Sequence, residues 1–282
     1  MAQADLDGKV ALITGGAGGI GQALARAFVA QGMRVGVCDV ARDTAETLAR
    51  ELGPAHAVAV AADVADPAAC TQAVEVVATR FGALHALVNN AGLGMGLVRA
   101  EHMDGATRIE DVAIELWQRF MATNASGAFF MTKAAMPHFR RQGSGRIVNV
   151  TTSFFTMLRA GWAPYGPAKA ALEAWSAGLA KELAGSGITV NVVVPGGPAD
   201  TPMVPIKDFP DRNALVAPAR MAPPMLHLFS AAGGAITGQR FVAAHWDPAL
   251  PPADAARAAG APIAWPDLAQ SPIWPGGKPT DG

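Results

Sequence analysis

Seven short apolar runs, each divided from the next by a stretch of helical composition or an irregular loop, restrict this chain to one kind of architecture. The runs are KVALIT (9–14), MRVGVCD (33–39), HAVAVAAD (56–63), HALVNN (85–90), GRIVNVT (145–151), ITVNVVV (188–194) and ITGQRFVAA (236–244). Each has strand length and β-branched character, and the stretches 19–31, 43–52, 67–81 and 115–141 between them have helix length. Strict strand–helix alternation requires parallel strands joined by right-handed crossovers, so the expected fold is α/β: a doubly wound, seven-stranded parallel sheet with helices on both faces. Hydrophobic residues make up 51% of the chain and charged residues 16%, which suits a sheet buried on both faces and leaves surface for burial between subunits. One domain over residues 1–246 is expected, followed by a proline-rich tail over 247–282. That tail contains Trp265 and Trp274, residues that disordered tails rarely carry, so part of it is expected to dock on the domain or on a neighbouring subunit.

The remaining composition excludes several classes. A formal net charge of −1 with no basic run gives no basis for nucleic-acid binding. The two cysteines, Cys38 and Cys70, form neither a metal-spaced cluster nor a disulfide framework, which points to a reducing compartment and to no metal. The first ten residues lack a basic and apolar leader, and no stretch is long enough to span a bilayer, so a cytoplasmic location is expected and no membrane partner.

Directly after the first run comes TGGAGGIG (14–21), which opens into the helical stretch GQALARAFVAQG. Gly15, Gly19 and Gly21 allow a tight turn, close approach of a pyrophosphate and close packing of helix on strand, while the helix N-terminus offers free N–H groups to phosphates. Asp39 ends the second run about where a carboxylate would accept hydrogen bonds from an adenosine ribose. A carboxylate there repels a 2′-phosphate, so NAD is expected over NADP, although Arg42 leaves some tolerance for NADP. Asp43 and Thr44 suit the cap of the next helix better than Asp39 does.

Tyr165 is the only tyrosine in the chain, and Lys169 stands four residues beyond it. Residues four apart share a helix face, and the segment 168–184 is rich in alanine, leucine, lysine and glutamate without proline. A phenol acting as a base near neutral pH must be lowered from about 10 by roughly three units. One ammonium ~4 Å away, at an effective dielectric of about 20, supplies roughly that much.

TGGAGGIG, Asp63-Val64 after the third run, NNAG (89–92), Asn124 in NASGAFF and YGPAK (165–169) occur in one order, and together they resemble the short-chain dehydrogenase/reductase superfamily in its shorter single-domain branch. The resemblance runs from about residue 9 to residue 242. It implies a Rossmann sheet and an NAD(P)-dependent oxidoreductase acting on CH–OH groups. Cofactor contacts would come from Gly15, Gly18, Gly19, Ile20, Gly21, Asp39 and Val40, with Asp63 and Val64 flanking the adenine. Asn90, Ala91 and Gly92 would support the cofactor ribose, and Pro195 and Gly196 would border the nicotinamide. Thr201 would reach its carboxamide, although PGGPADT has one residue more than the commonest spacing before that threonine. Tyr165 would be the acid/base, Lys169 would lower its pKa and hold a ribose, and Asn124 would support a relay water. The hydroxyl that orients the substrate oxygen is Ser153 by residue type and Thr152 by spacing, with Ser153 preferred.

The irregular stretches 93–111 and 196–224 follow the fourth and sixth runs and are the expected walls of the substrate site. Met95, Phe154, Phe155, Trp162 and Met203, with Met157 and Leu158 nearby, would favour a bulky hydrophobic or aromatic secondary alcohol or ketone, and Arg159 would either face solvent or receive a carboxylate. The family commonly assembles as homodimers or homotetramers through the helices at 115–141 and 168–184. Two other readings stay open: a non-catalytic dinucleotide-binding redox sensor or scaffold, and an epimerase or dehydratase using the same Tyr–Lys chemistry.

Overall fold

A computed structural model describes residues 4–100, 102 and 105–269; Trp274 lies outside the described residues. The sheet comprises β1 (Val10–Thr14), β2 (Arg34–Asp39), β3 (Ala57–Ala61), β4 (Ala86–Asn89), β5 (Gly145–Val150), β6 (Ile188–Val194), β7 (Gln239–Val242) and β8 (Gly260–Pro262). Their order is β3-β2-β1-β4-β5-β6-β7-β8. The first seven strands are parallel, as their spacing predicts, but the sheet has eight strands rather than seven. The eighth follows a short helix and pairs antiparallel with β7; its sequence GAP has no β-branched residue and no alternation to reveal it.

Helices α1 (Gly19–Val29), α2 (Arg42–Leu52), α3 (Pro67–Phe81), α4 (Ile114–Met121), α5 (Gly127–Gln142), α6 (Phe154–Leu158), α7 (Tyr165–Glu182), α8 (Ala222–Phe229) and α9 (Pro252–Ala259) cover the two faces. Alternation along β1 divides the core: Ala11 and Ile13 join one apolar cluster with Phe28 of α1 and Phe229 of α8, while Val10 and Leu12 join another with Val74 of α3 and Phe139 of α5. Asp66 caps α3 by accepting from Ala68 N at 2.8 Å, and Gly82, at φ +80°, ends it.

Three local expectations change. The stretch 115–141 is not one regular helix: α4 and α5 are joined through a π-helical turn, Ala122–Ser126. Helix α7 begins at Tyr165, three residues earlier than its alanine-rich composition suggests, so the phenol sits in the first turn. Asp43 does not cap α2; the N-cap is Ala41, whose N–H donates to Asp39 Oδ1 at 3.0 Å, and Asp43 and Thr44 lie inside the first turn. Among the described residues no helix is long and apolar enough to cross a membrane, and no group of three or more metal-ligating side chains gathers. Both cysteines are buried thiols, Cys38 pushed up to about 12 and Cys70 to about 11 mainly by desolvation, so neither is a ready nucleophile.

Candidate active site

The carboxyl ends of the parallel strands open on a cleft of about 700 Å³. At one end the glycine-rich loop links β1 to α1. The intrahelical ladder of α1 starts at Gln22 N, which donates to Gly18 O, so the N–H groups of Gly19, Ile20 and Gly21 have no acceptor within their own helix. Gly15, Gly18, Gly19 and Ile20 line the cleft, whereas Gly21 does not: a Cβ there would overlap the Gly15 carbonyl, so this glycine serves close packing of helix and turn. Asp39 also lines the cleft; Oδ2 accepts from Ala17 N and Oδ1 from Ala41 N, both at 3.0 Å, which leaves each oxygen a further lone pair. Val40, Asp63 and Val64 continue this wall.

Asn90, Ala91 and Gly92 line the middle. Thr14 Oγ1 accepts from Asn90 N at 3.0 Å and Ala91 N at 3.1 Å, and Asn90 Nδ2 donates to Thr14 O and Gly15 O, so this segment is tied to the glycine loop. Asn124 does not line the cleft. It is buried in the π-helical turn, where its amide accepts from Leu93 N at 2.7 Å and donates to Leu93 O at 2.9 Å. The turn's extra residue per helical repeat re-aims this side chain into the loop after β4. A Cβ on Gly92 would stand 3.5 Å from both Asn124 Oδ1 and Lys169 Nζ, so glycine keeps this point of the floor open.

Thr152, Ser153, Tyr165 and Lys169 all line the cleft. Ser153, the preferred hydroxyl by residue type, is engaged as the N-cap of α6: its Oγ accepts from Thr156 N at 3.1 Å and pairs with Thr156 Oγ1 at 2.8 Å. Thr152, the neighbouring hydroxyl, is the one that acts on the Tyr165 phenol. Burial pushes the Tyr165 phenol above its ordinary value, with Thr152 acting the other way. Lys169 Nζ donates to Val150 O at 2.8 Å. Burial lowers Lys169 to about 8, which still leaves it protonated near neutral pH. Gly166 is needed beside the phenol, since a Cβ there would lie 2.8 Å from Met157 O and 2.9 Å from Thr156 O.

Behind this group lies a buried ion pair absent from the sequence-based expectations. Glu173, one turn beyond Lys169 on α7, is fully buried; its Oε1 meets Arg240 Nε of β7 at 3.2 Å and its Oε2 accepts from Thr151 Oγ1 at 2.6 Å. Arg240 Nη2 donates to Thr152 O at 2.7 Å, and Ala264 N donates to Glu173 Oε1 at 3.1 Å. The pair therefore grips the backbone at the candidate catalytic threonine.

Pro195, Gly196 and Thr201 line the cleft, with Thr201 lying on the start of α1: a Cβ on Gly19 would approach Thr201 Cγ2 to 2.6 Å. Of the expected substrate wall, Met95, Phe155, Trp162 and Met203 line the cleft and Phe154 does not. Phe154 instead packs edge-on to Trp265 at 5.8 Å and under the Arg240 guanidinium at 4.4 Å. His102, Arg119, Thr123 and Phe209 also line it; they lie in irregular segments or on an exposed helix face, and no spacing in the sequence marks them.

These features fit a dinucleotide: N–H donors at a helix start, a carboxylate with spare lone pairs at the second strand end, and a continuous cleft between them. Comparison with known proteins agrees. Residues 9–208 match the family model for short chain dehydrogenases. The 3-oxoacyl-[acyl-carrier-protein] reductase FabG of Salmonella typhimurium is 36% identical over 190 residues, 67% of this chain and 73% of that protein. The 2,5-dichloro-2,5-cyclohexadiene-1,4-diol dehydrogenase LinX of Sphingobium indicum is 36% identical over 194 residues, 68% of this chain and 74% of that protein. Among solved structures, the 3-ketoacyl-(acyl-carrier-protein) reductase of Brucella melitensis complexed with NADH superposes with a TM-score of 0.70 at 32% identity, covering 82% of this chain and 95% of its own. A single-substitution variant of the actinorhodin polyketide ketoreductase, with NADPH, gives 0.71 at 31% identity, covering 81% and 93%.

Proposed function

The chain belongs to the short-chain dehydrogenase family, whose members are NAD(P)-dependent oxidoreductases acting on CH–OH groups, and from that premise we propose that it interconverts a bulky, largely apolar secondary alcohol and its ketone with NAD as the preferred cofactor. The observation that carries the reading is the meeting of Tyr165, Lys169 and Thr152 in one cleft whose other end is the glycine loop. In the reductive direction the Tyr165 hydroxyl gives its proton to the substrate oxygen, and in the oxidative direction it takes one. Thr152 donates to the same oxygen and stabilises charge developing there. Lys169, held on Val150 O, has further N–H donors for a ribose, and Asn124 acts by fixing the Leu93 backbone beside it. A bound nicotinamide would supply the hydride in reduction and accept it in oxidation.

Preference for NAD rests on Asp39, whose carboxylate would repel a 2′-phosphate. Arg42, the residue best placed to soften that, lies 3.6 Å from Glu46 along α2. Homodimers or homotetramers, built through α4–α5 and α7, and a cytoplasmic location, in keeping with two free thiols, complete the reading. Residues 1–246 carry the cofactor-binding and catalytic unit, onto which the described residues 247–269 pack through α9 and β8.

The test is NADH oxidation followed by absorbance with a panel of alicyclic and aromatic ketones. Turnover is expected, at higher kcat/KM with NADH than with NADPH, and Tyr165→Phe should lower kcat by at least about a thousandfold while NADH still binds. Cofactor binding without turnover of any ketone or alcohol would instead favour a redox sensor.

A further inference from the structure

Arg159, the residue that ends α6, lines the substrate half of the cleft and has no part in the hydride-transfer chemistry. Its guanidinium lies over the Trp162 indole, with Cζ 4.8 Å from the ring centroid. Trp162 in turn meets Tyr165 edge-on at 6.1 Å and His102 edge-on at 5.9 Å. One indole, wedged between His102 and the phenol, thus separates a cation from the candidate acid/base. Among the described residues no carboxylate pairs with Arg159, and the described carboxylates that line the cleft, Asp39 and Asp63, stand at the far end beyond β2 and β3. Phe155 and Met203 are among the apolar side chains that line the same cleft.

A guanidinium stacked on an indole has given up much of its rotamer freedom in advance, and its N–H donors remain free at the edge of the stack. Such a group is pre-organised for a planar anion, and in an apolar cleft the attraction is larger than in water. Resting on the dehydrogenase reading of this cleft, we propose that Arg159 is a specificity residue and that the substrate is an alcohol or ketone carrying a carboxylate across an apolar body from the reacting carbon. The reacting oxygen lies at Tyr165 and Thr152, the apolar body against Trp162 and Phe155, and the carboxylate on the Arg159 guanidinium.

The experiment is calorimetric titration of the full-chain enzyme, with and without NADH, using cyclohexanecarboxylate and its methyl ester as probes. The acid is expected to bind at least about tenfold more tightly than the ester, the size of one charge-assisted contact. Arg159→Ala and Arg159→Gln should abolish that discrimination, and Arg159→Lys, which keeps the charge but not the fork, should restore part of it. Equal binding of acid and ester by the unaltered enzyme, at any soluble concentration, overturns the proposal. So does discrimination that survives in Arg159→Ala. Binding needs no turnover, so failure here is separable from failure of the dehydrogenase reading, which shows as an absence of NADH oxidation with every ketone.

Discussion

At the scale of single residues, the site turns on which of two adjacent hydroxyls meets the phenol. Spacing points to Thr152 and residue type to Ser153; in the structure Ser153 is the residue at which α6 starts, and a serine at a helix start satisfies N–H groups that would otherwise lack partners. Nothing in the letters TTSFFT shows that a five-residue helix begins there, so the competing demand on Ser153 was illegible in the sequence. The reading predicts opposite consequences for two small changes. Thr152→Val should lower kcat by roughly a hundredfold or more, as expected for loss of a donor to a developing alkoxide, with little effect on melting temperature. Ser153→Ala should do the reverse, costing about 1 kcal/mol of stability through the lost cap while kcat falls by less than about threefold. Steady-state kinetics and thermal melting on the two variants separate the roles; a kcat loss confined to Ser153→Ala would return the role to that serine. The phenol illustrates a second limit of sequence. Four-residue spacing brings Tyr165 and Lys169 to one cleft, but it does not show the bond from Lys169 Nζ to the strand-end carbonyl of Val150.

At the scale of elements, strands were the most legible part of the molecule because their centres carry short runs of buried apolar residues, as in VALIT of β1 and VGVC within β2. The π-helical turn at Ala122–Ser126 was not legible: its residues ATNAS have ordinary helical composition, and only the bonds of Asn124 to Leu93 reveal the change of pitch. The Glu173–Arg240 pair was equally hidden, since its members lie far apart in sequence on α7 and β7 and each alone reads as a surface charge. It is the tie that joins α7, β7 and the end of β5 behind Thr152. Removing one charge from a buried pair strands the other, at a cost of roughly 3 kcal/mol or more. Glu173→Gln is therefore expected to lower the melting temperature by several degrees, and a Glu173→Leu/Arg240→Met double variant to recover most of that loss. Because Arg240 also holds Thr152 O, the double variant should regain stability without regaining kcat, with KM changed much less. Full recovery of kcat along with stability would reduce the pair to a structural role.

At the scale of the whole molecule, the two edges of the sheet and the outer helix faces are treated differently, and the contrast bears on assembly. The β7 edge is closed by β8, a strand of three residues ending in Pro262, and Trp265 just beyond it packs on Phe154 of α6. A short, proline-bearing edge strand discourages further pairing, so that side of the sheet is an end. The α4–α5 face is left otherwise. Ile114 is 70% exposed, Trp117 41% and Phe129 44%, and Phe129 lies edge-on to Trp175 of α7 at 5.9 Å. Large apolar side chains exposed on two successive helices are disfavoured by water, and a two-fold arrangement that sets the same helices of a second copy against them can bury them together. A stable interface of this kind needs roughly 1,200 Å² or more of buried surface, which paired α4–α5 helices can supply. Sedimentation velocity is expected to find a dimer or tetramer at micromolar concentration. Phe129→Glu, placing a charge on this face and outside the cleft, should shift the distribution to a smaller species. If the unaltered protein sediments as a monomer, or if Phe129→Glu leaves the distribution as it was, this face is not the interface and its apolar side chains need another explanation.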